Sequence, residues 1–270
     1  MLFFSSRSII IPNIRIWRSS VRKINMILCG CSGKMGLEVI ETAKDYIDIK
    51  IVAGIAKEAR MGKNFPIFGC FDDVNINCDV VLDFSHPSCL DSILKFVTRR
   101  NIPAVICTTG YDKFQMLKIK ETAKIVPVFL SCNTSRGISV LRKIIKVARN
   151  LLGKDYDIEI IEKHHNKKVD APSGTTLMLA QEVSNDNTEY VYDRTCCRSR
   201  RRQNEIGIHT VRCGGMRGEH EIIFANEHET LVLKHSANSR KLFACGALDA
   251  VKFMVDMMPG MYNMRDLVMY

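Results

Sequence analysis

The sequence predicts an α/β protein in which a doubly wound parallel sheet is joined to an α+β domain with a mixed sheet. Two observations lead to this fold class. Short apolar runs alternate with helix-like stretches from residue 26 to about residue 131, which is the pattern of βαβ units. A glycine-rich turn lies between the first run and the first helix, as in the Rossmann-type dinucleotide-binding fold.

The stretch at residues 26–44 reads as a strand, a turn and a helix. The turn holds glycines at three-residue spacing, Gly30, Gly33 and Gly36. A dinucleotide site needs a tight turn and backbone that can approach a pyrophosphate, with the phosphates at the helix N-terminus. A second apolar strand at Ile49–Ile55 follows, so the context of the turn supports this interpretation.

Three more strands complete the predicted parallel sheet, at Asp79–Ser85, Ala104–Gly110 and Val126–Ser131. The helices between them are predicted at Pro87–Arg100 and Asp112–Lys124. In a doubly wound sheet the ligand lies at the carboxyl ends of the strands. These strand ends carry small polar residues, so the sequence predicts that a dinucleotide lies along them.

The end of the second strand bears on coenzyme choice. NAD-binding proteins usually place Asp or Glu there to bind the ribose 2′-hydroxyl, but this chain has Ala56 followed by Lys57. Loss of the carboxylate removes repulsion towards a 2′-phosphate, and Lys57, together with Lys34 in the turn, offers positive charge. We therefore expect NADPH or NADH as the coenzyme, with NADPH favoured or at least well tolerated.

The composition is that of an ordinary globular protein. Of its 270 residues, 46% are hydrophobic and 25% are charged, and no apolar run approaches the ~18 to 20 residues of a membrane helix. The net charge of +10 raises the question of nucleic-acid binding. However, the basic run at residues 198–202 has no interleaved aromatic residues, which favours a solvated loop. Neither a nucleic acid nor a membrane is expected as a partner.

Residues 1–25 differ from the rest of the chain. They carry five basic residues and no acidic one, and they include the only tryptophan, Trp17. This composition suits an organellar transit peptide. A misread start or a disordered tail is the favoured interpretation, because the first predicted strand begins only at Met26.

The 11 cysteines show neither metal-site nor disulfide spacing. The sequence has no C-x-x-C pair, and the paired offsets of a zinc site are missing. Thiols scattered through apolar strands are typical of a reducing compartment. We expect no metal, no disulfide framework and a cytoplasmic location.

A short segment, "EKHHNKKVDAPSGTT" at residues 162–176, combines basic residues with the start of a predicted helix. A helix beginning near Ser173, with Pro172 near its first turn, would present unpaired N–H groups from residues 173–176, which hold a carboxylate well. Lys168 and His165 add positive charge, and His164 with Lys168 are the candidate proton-transfer groups. Each feature alone has a structural explanation as a cap or a solvated pair, but their sharing of one loop favours a functional site.

This segment resembles the signature E-x-H-H-x-x-K-x-D-A-P-S-G-T of the 4-hydroxy-tetrahydrodipicolinate reductase family, which acts in lysine and diaminopimelate biosynthesis. Other stretches are similar to the same family and follow in its order: "GCSGKMG", "DFSHP", "CTTGYD", "NTSRGI", "EIGIHTVRCGGMRGEHEIIFA" and "HSANSRKLFACGA". The resemblance extends over residues 26–270. The chain departs from the family at Ala56, where Asp or Glu is common, and at Cys107, where Gly is common.

The resemblance implies a reaction and a set of site residues. The family removes water from a cyclic hydroxy-dicarboxylate and adds hydride from NAD(P)H, which makes its members oxidoreductases. His164 would be the catalytic histidine and Lys168 the proton donor, and the substrate would bind at His165, Ser173, Gly174 and Thr175. The dinucleotide would lie along Gly30, Cys31, Ser32, Gly33, Lys34 and Met35, and along Cys107, Thr108, Thr109, Ser131, Cys132, Asn133 and Thr134.

The order of segments predicts the domain organisation. After the leader at 1–25 come a dinucleotide-binding domain at 26–134, a substrate-binding and oligomerisation domain at 135–240, and a C-terminal return to the first domain at 241–270. The resemblance implies a homotetramer formed through the substrate domain. Two alternatives stay open: another NAD(P)-dependent small-molecule dehydrogenase, or a catalytically silent NADP-sensing protein on the same fold.

Overall fold

The structure is a computed structural model that describes residues 23–197 and 199–269. The predictions for the leader at residues 1–25 therefore lie, except for the last three residues, outside the described part. The first strand begins at Ile24, two residues earlier than predicted. Ile24 is buried, and the backbone N–H of Asn25 donates to Asp79 at 2.7 Å, so both residues belong to the fold.

The first half of the chain alternates strands and helices, as its apolar periodicity predicts. Its elements are β1 (Ile24–Cys29), α1 (Lys34–Thr42), β2 (Ile49–Ile55), β3 (Arg60–Met61), β4 (Pro66–Phe68), β5 (Val80–Asp83), α2 (Leu90–Arg100), β6 (Ala104–Ile106), α3 (Lys113–Ala123) and β7 (Pro127–Leu130). The second half contains α4 (Arg136–Leu152), β8 (Asp157–His164), α5 (Gly174–Val183), β9 (Glu189–Val191), β10 (Glu205–Arg212), β11 (Glu219–Ala225), β12 (Thr230–Ser236), α6 (Lys241–Met254), β13 (Gly260–Tyr262) and α7 (Met264–Met269).

Sheet A has eight strands in the order β13-β7-β6-β5-β1-β2-β4-β3, all paired in parallel except β3 with β4. Strands β7, β6, β5 and β1 are almost entirely buried, which explains why they read as continuous apolar runs. Helices α1 and α6 cover one face of the sheet, and α2 and α3 cover the other. This is the doubly wound parallel sheet that the sequence predicts.

Sheet B has five strands in the order β12-β11-β8-β10-β9 and is mixed, because β8 pairs in parallel with β10 and antiparallel with β11. Burial alternates along β8, where Ile158, Ile160, Glu162 and His164 face inwards. Helices α4 and α5 pack on that inner face around Ile160, Ile222 and Phe224. The predicted fold class, a parallel sheet plus an α+β unit with a mixed sheet, is therefore confirmed.

The final elements of the chain lie against sheet A. Helix α6 contributes apolar side chains such as Leu248 and Val251 to the core of that sheet, and β13 adds an edge strand beside β7. The hydroxyl of Thr134 donates to the carbonyl oxygen of Phe243 at 2.7 Å. The crossing from sheet A to sheet B is therefore tied to the beginning of α6.

The basic loop before β10 is held by acidic residues of sheet B. Arg201 contacts Asp157 at 2.7 Å and Glu159 at 3.1 Å. Arg194 and Arg202 both pair with Glu205, at 2.7 and 2.9 Å. Residue 198, the first of the basic run, lies outside the described residues. The described helices include none with the length and apolar character to cross a membrane.

Candidate active site

The glycine turn between β1 and α1 has the shape of a dinucleotide cradle. Gly30 has φ +79°, and a Cβ placed on it would lie 2.4 Å from the carbonyl oxygen of Phe84. A Cβ on Gly36 would lie 2.2 Å from the carbonyl oxygen of Gly30, so α1 approaches the turn closely. No side chain of the described residues caps α1 at Gly33, which leaves its N-terminal N–H groups available to an anion. These residues fit the pyrophosphate of a nicotinamide dinucleotide.

The carboxyl ends of β5 and β6 are arranged around a buried carboxylate. Asp83 accepts a hydrogen bond from the backbone N–H of Ser85 at 3.0 Å and from the Tyr111 hydroxyl at 3.4 Å. Burial raises the pKa of Asp83 above its usual range. Next along the sheet, Cys107 is buried and its pKa is raised by that burial. The Cys107 side chain is therefore a protonated thiol that packs as an apolar group, and it lacks the lowered pKa of a nucleophilic cysteine.

A cleft of about 580 Å³ lies where the strand ends of sheet A meet β8 and α5. It brings together most of the residues predicted for coenzyme and substrate. From the first half these are Met35, Cys107, Thr109, Ser131, Cys132, Asn133 and Thr134, and from the second half His164, His165, Lys168, Ser173, Gly174 and Thr175.

The remaining predicted residues lie outside this cleft. Gly30 to Gly33 form the turn before α1, and Lys34 is the first residue of that helix. Lys57 is exposed beyond the end of β2. Thr108 is buried and lines a neighbouring cavity of about 440 Å³ together with Thr109 and Tyr111. The predicted coenzyme site includes both the cleft and the glycine turn before α1, so a bound dinucleotide would have to extend from one to the other.

His164 is the last residue of β8 and is oriented by a buried carboxylate. Its Nδ1 contacts Glu162, which is two residues earlier on the same face of the strand and 0% exposed. Glu162 also accepts two hydrogen bonds from Arg212, at 2.7 and 2.9 Å, and one from the Thr210 hydroxyl at 3.2 Å. Burial acts to raise the pKa of Glu162, but the hydrogen bonds from His164 and Arg212 outweigh it and lower the pKa to about 2. Glu162 is therefore an anion that fixes the imidazole ring.

A second histidine, His220 on β11, packs edge-on against His164 with the ring centroids 5.3 Å apart. Burial, followed by the charge of His164, lowers the pKa of His220 to about 3. Its Nε2 lies 3.2 Å from the hydroxyl of Ser173. His220 is therefore neutral at physiological pH and supports the site without adding charge to it.

The prediction of four free N–H groups at the start of α5 is wrong for two of them. The N–H of Ser173 donates to Glu162 at 3.2 Å, and the N–H of Thr176 donates to the hydroxyl of Ser173 at 3.1 Å. Only Gly174 and Thr175 keep N–H groups for a ligand. Ser173 is the N-cap and the helix begins at Gly174, so Pro172 lies directly before the first turn.

Lys168 lies in the cleft on the loop between β8 and α5. Its ammonium group contacts Asp170 at 2.8 Å, and the side chain is 21% exposed. The pKa of Asp170 is lowered, chiefly by the hydrogen bond from Lys168. His165, on the same loop, has a buried Nδ1 without a hydrogen-bond partner among the described residues. Both side chains are thus placed to meet a polar ligand.

One side chain joins the two halves of the cleft. The amide of Asn133, which follows β7, donates to the hydroxyl of Thr175 at 2.9 Å. Its oxygen accepts from the backbone N–H of Ser135 at 2.9 Å. A predicted coenzyme residue is therefore bonded to a predicted substrate residue.

The sequence analysis missed several residues of the site. Four of them form the hydrogen-bonded and packed network around His164: Glu162, Thr210, Arg212 and His220. The other four line the cleft: Phe84, Asp170, Arg217 and Phe243. The period of two along β8 would have found Glu162, because residues 162 and 164 share one face of a strand. Nothing local in the sequence identifies the others, which arrive from distant strands. Within the described residues, no cluster of His, Cys, Asp or Glu could hold a metal ion.

Comparisons with known proteins agree over nearly the whole described chain. The family model described as "Dihydrodipicolinate reductase, N-terminus" matches residues 24–134, and its C-terminal counterpart matches residues 137–268. A curated relative from Clostridium tetani, named 4-hydroxy-tetrahydrodipicolinate reductase, is 47% identical over 89% of this chain and 95% of its own length. One of the same name from Caldanaerobacter subterraneus is 43% identical over 91% of this chain and 98% of its own length.

A solved structure has the same fold. It is a dipicolinate-bound dihydrodipicolinate reductase from Paenisporosarcina sp. TG-14, with a TM-score of 0.73 and 24% identity. The match covers 89% of this chain and 97% of that one. With both halves of the chain matched by the family models and with relatives above 40% identity along most of its length, this chain belongs to the dihydrodipicolinate reductase family, whose members are also named 4-hydroxy-tetrahydrodipicolinate reductases.

Proposed function

We propose that this protein is an oxidoreductase that converts 4-hydroxy-tetrahydrodipicolinate to tetrahydrodipicolinate, with loss of water and with NADPH or NADH as the reductant. This reaction belongs to lysine and diaminopimelate biosynthesis. The observation that carries the proposal is the cleft of about 580 Å³, in which the strand ends of sheet A face His164, Lys168 and the N-terminus of α5. The membership of the family and the names of its relatives support the same activity.

The coenzyme would be held by the first half of the chain. The turn from Gly30 to Met35 would bind the pyrophosphate, and Cys107 to Thr109 and Ser131 to Thr134 would lie along the nicotinamide end. When bound, the reduced nicotinamide supplies the hydride. Ala56 and the exposed Lys57 and Lys34 support a preference for NADPH, because they leave room and positive charge for a 2′-phosphate.

The substrate would be held by the N-terminus of α5. The N–H groups of Gly174 and Thr175 point to the open end of this helix, where an anion is favoured. A Cβ placed on Gly174 would meet no atom within 4 Å, so this position leaves space for a ring. His165 lies alongside, and Ser173 would act mainly by fixing the helix end, because its hydroxyl is bonded within the protein.

Lys168 and His164 would handle the protons. Lys168 carries the ammonium proton that the ring takes up, and the Asp170 contact at 2.8 Å keeps that side chain in the cleft. His164 donates a hydrogen bond from its Nδ1–H to the Glu162 carboxylate. Its Nε2 is therefore the ring nitrogen that would assist at the substrate. A positive charge beside a dianionic substrate also stabilises the charge that develops during reduction.

We further propose a homotetramer formed through the outer face of sheet B, in the cytoplasm. The inner face of that sheet is covered by α4 and α5. On the outer face, Ile223 of β11 pairs with Val232 of β12, which is 46% exposed, and Ile161 of β8 lies on the same face and pairs with Glu221. Apolar side chains on an open sheet face favour association with further copies. Free thiols throughout the described chain support a reducing compartment.

A coupled assay tests the proposed reaction. With enzymatically supplied 4-hydroxy-tetrahydrodipicolinate and NADPH, we expect substrate-dependent loss of the reduced-nicotinamide absorbance. Lys168→Ala should lower kcat by at least ~10²-fold with little change in NADPH affinity, because a proton donor is lost while the coenzyme site is kept. Lys167→Ala, at the adjacent exposed lysine, is the matched control and should retain activity.

Three results would contradict parts of the proposal. Wild-type turnover unaffected by Lys168→Ala would remove Lys168 from its role. Tight NADPH binding without turnover would favour the NADP-sensing alternative, and turnover only with an unrelated substrate would favour another dehydrogenase.

A further inference from the structure

The connection between β10 and β11, residues 213–218, is bonded to the loop that carries the candidate catalytic histidine. The N–H of Cys213 donates to the carbonyl oxygen of His164 at 2.9 Å, and the N–H of Asn166 donates to the carbonyl oxygen of Gly214 at 3.2 Å. Two backbone hydrogen bonds therefore hold this connection, called here the β10–β11 loop, against residues 164–166. Its position relative to His164 is fixed by the fold.

The C-terminal end of the β10–β11 loop passes directly beside the imidazole of His164. Gly218 has φ +145°, and a Cβ placed on it would lie 3.1 Å from His164 Nε2. Its carbonyl oxygen accepts from the N–H of Ala237 at 2.8 Å. The preceding residue, Arg217, is thereby held at the wall of the cleft that also contains His164, Lys168 and Thr175.

Arg217 differs from the other cationic side chains around the cleft. Lys168 is paired with Asp170 at 2.8 Å, and Arg212 is paired with the buried Glu162 at 2.7 Å. Arg217 is exposed and makes no ion pair or hydrogen bond within residues 23–197 and 199–269. A guanidinium group can bind a carboxylate through two parallel N–H donors. Arg217 is thus a positive charge at the cleft whose donors remain available.

The proposed substrate carries two carboxylates, and one helix N-terminus accounts for only one of them. The N–H groups of Gly174 and Thr175 are two adjacent donors at a single point. A second carboxylate on the same ring points away from the first and needs its own donors. Lys168 would be occupied in proton transfer and is already paired with Asp170. The Nδ1 of His165, which has no partner in the described part of the chain, is a single ring nitrogen, whereas a guanidinium group offers two parallel donors.

We propose that Arg217 binds the second carboxylate of the substrate and so sets the specificity of this enzyme for dicarboxylic rings. This inference rests on the proposed function and adds a residue to it. The helix N-terminus holds one carboxylate, Arg217 holds the other, and the ring lies between them beside His164, because all of these residues line one cleft. Arg217 is a specificity residue in this arrangement and takes no part in proton transfer.

Calorimetric binding of two analogues tests the assignment without turnover. The full chain, saturated with NADPH, is titrated with pyridine-2,6-dicarboxylate and with pyridine-2-carboxylate, which lacks the second carboxylate. Arg217→Ala should weaken the dicarboxylate by at least about 10-fold, as expected for loss of a charged hydrogen-bonded pair. It should change the affinity of the monocarboxylate by less than about 3-fold. Arg217→Lys should recover part of the loss.

The controls separate this proposal from folding and from the proposed function. Arg200→Ala removes an exposed arginine that does not line the cleft and should leave both affinities unchanged. An unchanged melting temperature for Arg217→Ala would establish that the variant is folded. KM for 4-hydroxy-tetrahydrodipicolinate should rise in parallel with the dicarboxylate Kd, while kcat changes little.

Three outcomes would overturn the assignment while the wild-type enzyme remains active. The first is an unchanged affinity for the dicarboxylate, and the second is an equal loss of affinity for both analogues. The third is a loss of affinity for NADPH alone, which would indicate that Arg217 binds the coenzyme. If the wild-type protein neither reduces the hydroxy-dicarboxylate nor binds pyridine-2,6-dicarboxylate, the proposed function fails and this inference fails with it.

Discussion

Replacing Glu162 by Gln would test whether the buried charge network behind His164 forms in solution. The carboxylate is 0% exposed and accepts hydrogen bonds from Arg212, Thr210 and the N–H of Ser173, in addition to its contact with His164. Glu162→Gln keeps the shape of the side chain and removes its charge. The guanidinium group of Arg212 would then lose its anionic partner.

The structure gives the size of the expected loss. The pKa of Glu162 is about 2 against an ordinary value of 4.5, and this difference corresponds to about 3 kcal/mol of stability at neutral pH. Breaking a buried ion pair by removing one partner costs a similar amount, about 3 to 5 kcal/mol. Because the pKa is lowered by folding, the contribution is complete above about pH 4.5 and is lost as the pH falls towards 2.

Urea unfolding of the wild type and of Glu162→Gln would measure this contribution. We expect the variant to be less stable by about 3 kcal/mol at pH 7, and the difference to fall to about half by pH 3. Glu121→Gln, at an exposed pair with Lys124, is the control and should change the stability by less than about 1 kcal/mol. Equal stability of wild type and Glu162→Gln at pH 7, or a difference that does not depend on pH, would refute the reasoning.

Two further predictions concern the coenzyme. Ala56→Asp should raise the ratio of kcat/KM for NADH over NADPH by at least about 10-fold, because a carboxylate there binds a ribose 2′-hydroxyl and repels a 2′-phosphate. The uncharged Ala56→Asn is the control. An unchanged ratio in steady-state assays would count against the coenzyme prediction. Gly30→Ala should weaken NADPH binding by at least about 10-fold, as measured by fluorescence titration. The added Cβ would lie 2.4 Å from the Phe84 carbonyl oxygen. In addition, the left-handed φ of this residue costs a non-glycine residue about 1–2 kcal/mol. Gly153→Ala has a similar φ of +75° with nothing within 4 Å and should leave NADPH binding intact; equal effects of the two substitutions would argue against a close-approach role for Gly30.

The fold was accessible from the sequence because its signals are local. The apolar run of β2 was predicted with the same bounds that the structure has, Ile49–Ile55. Errors arose where a side chain ends or begins an element. Helix α3 begins at Lys113 and not at Asp112, because the carboxylate of Asp112 caps it by accepting from the N–H of Gln115 at 2.7 Å. The short strands β3, β4 and β13 carry too few residues for any periodicity to be visible.

The candidate site was predictable only where its residues share one segment. His164, Lys168 and Thr175 were identified because they lie within a few residues of each other and match a family signature. Arg212 on β10 contacts Glu162, His220 on β11 packs against His164, and Arg217 lines the cleft from the loop between the two strands. Their roles depend on the pairing of β8 with both strands, which no local pattern reveals.

The amide of Asn133 has one consequence for how this enzyme can change over evolutionary time. Its nitrogen is bonded to Thr175 and its oxygen to Ser135, so neither end is free to adapt alone. Any replacement at this position would therefore alter the proposed coenzyme pocket and the proposed substrate pocket together. Substitutions that change the affinity for only one of the two reactants are therefore expected at other positions. Residue 133 should be among the positions that change most slowly in evolution.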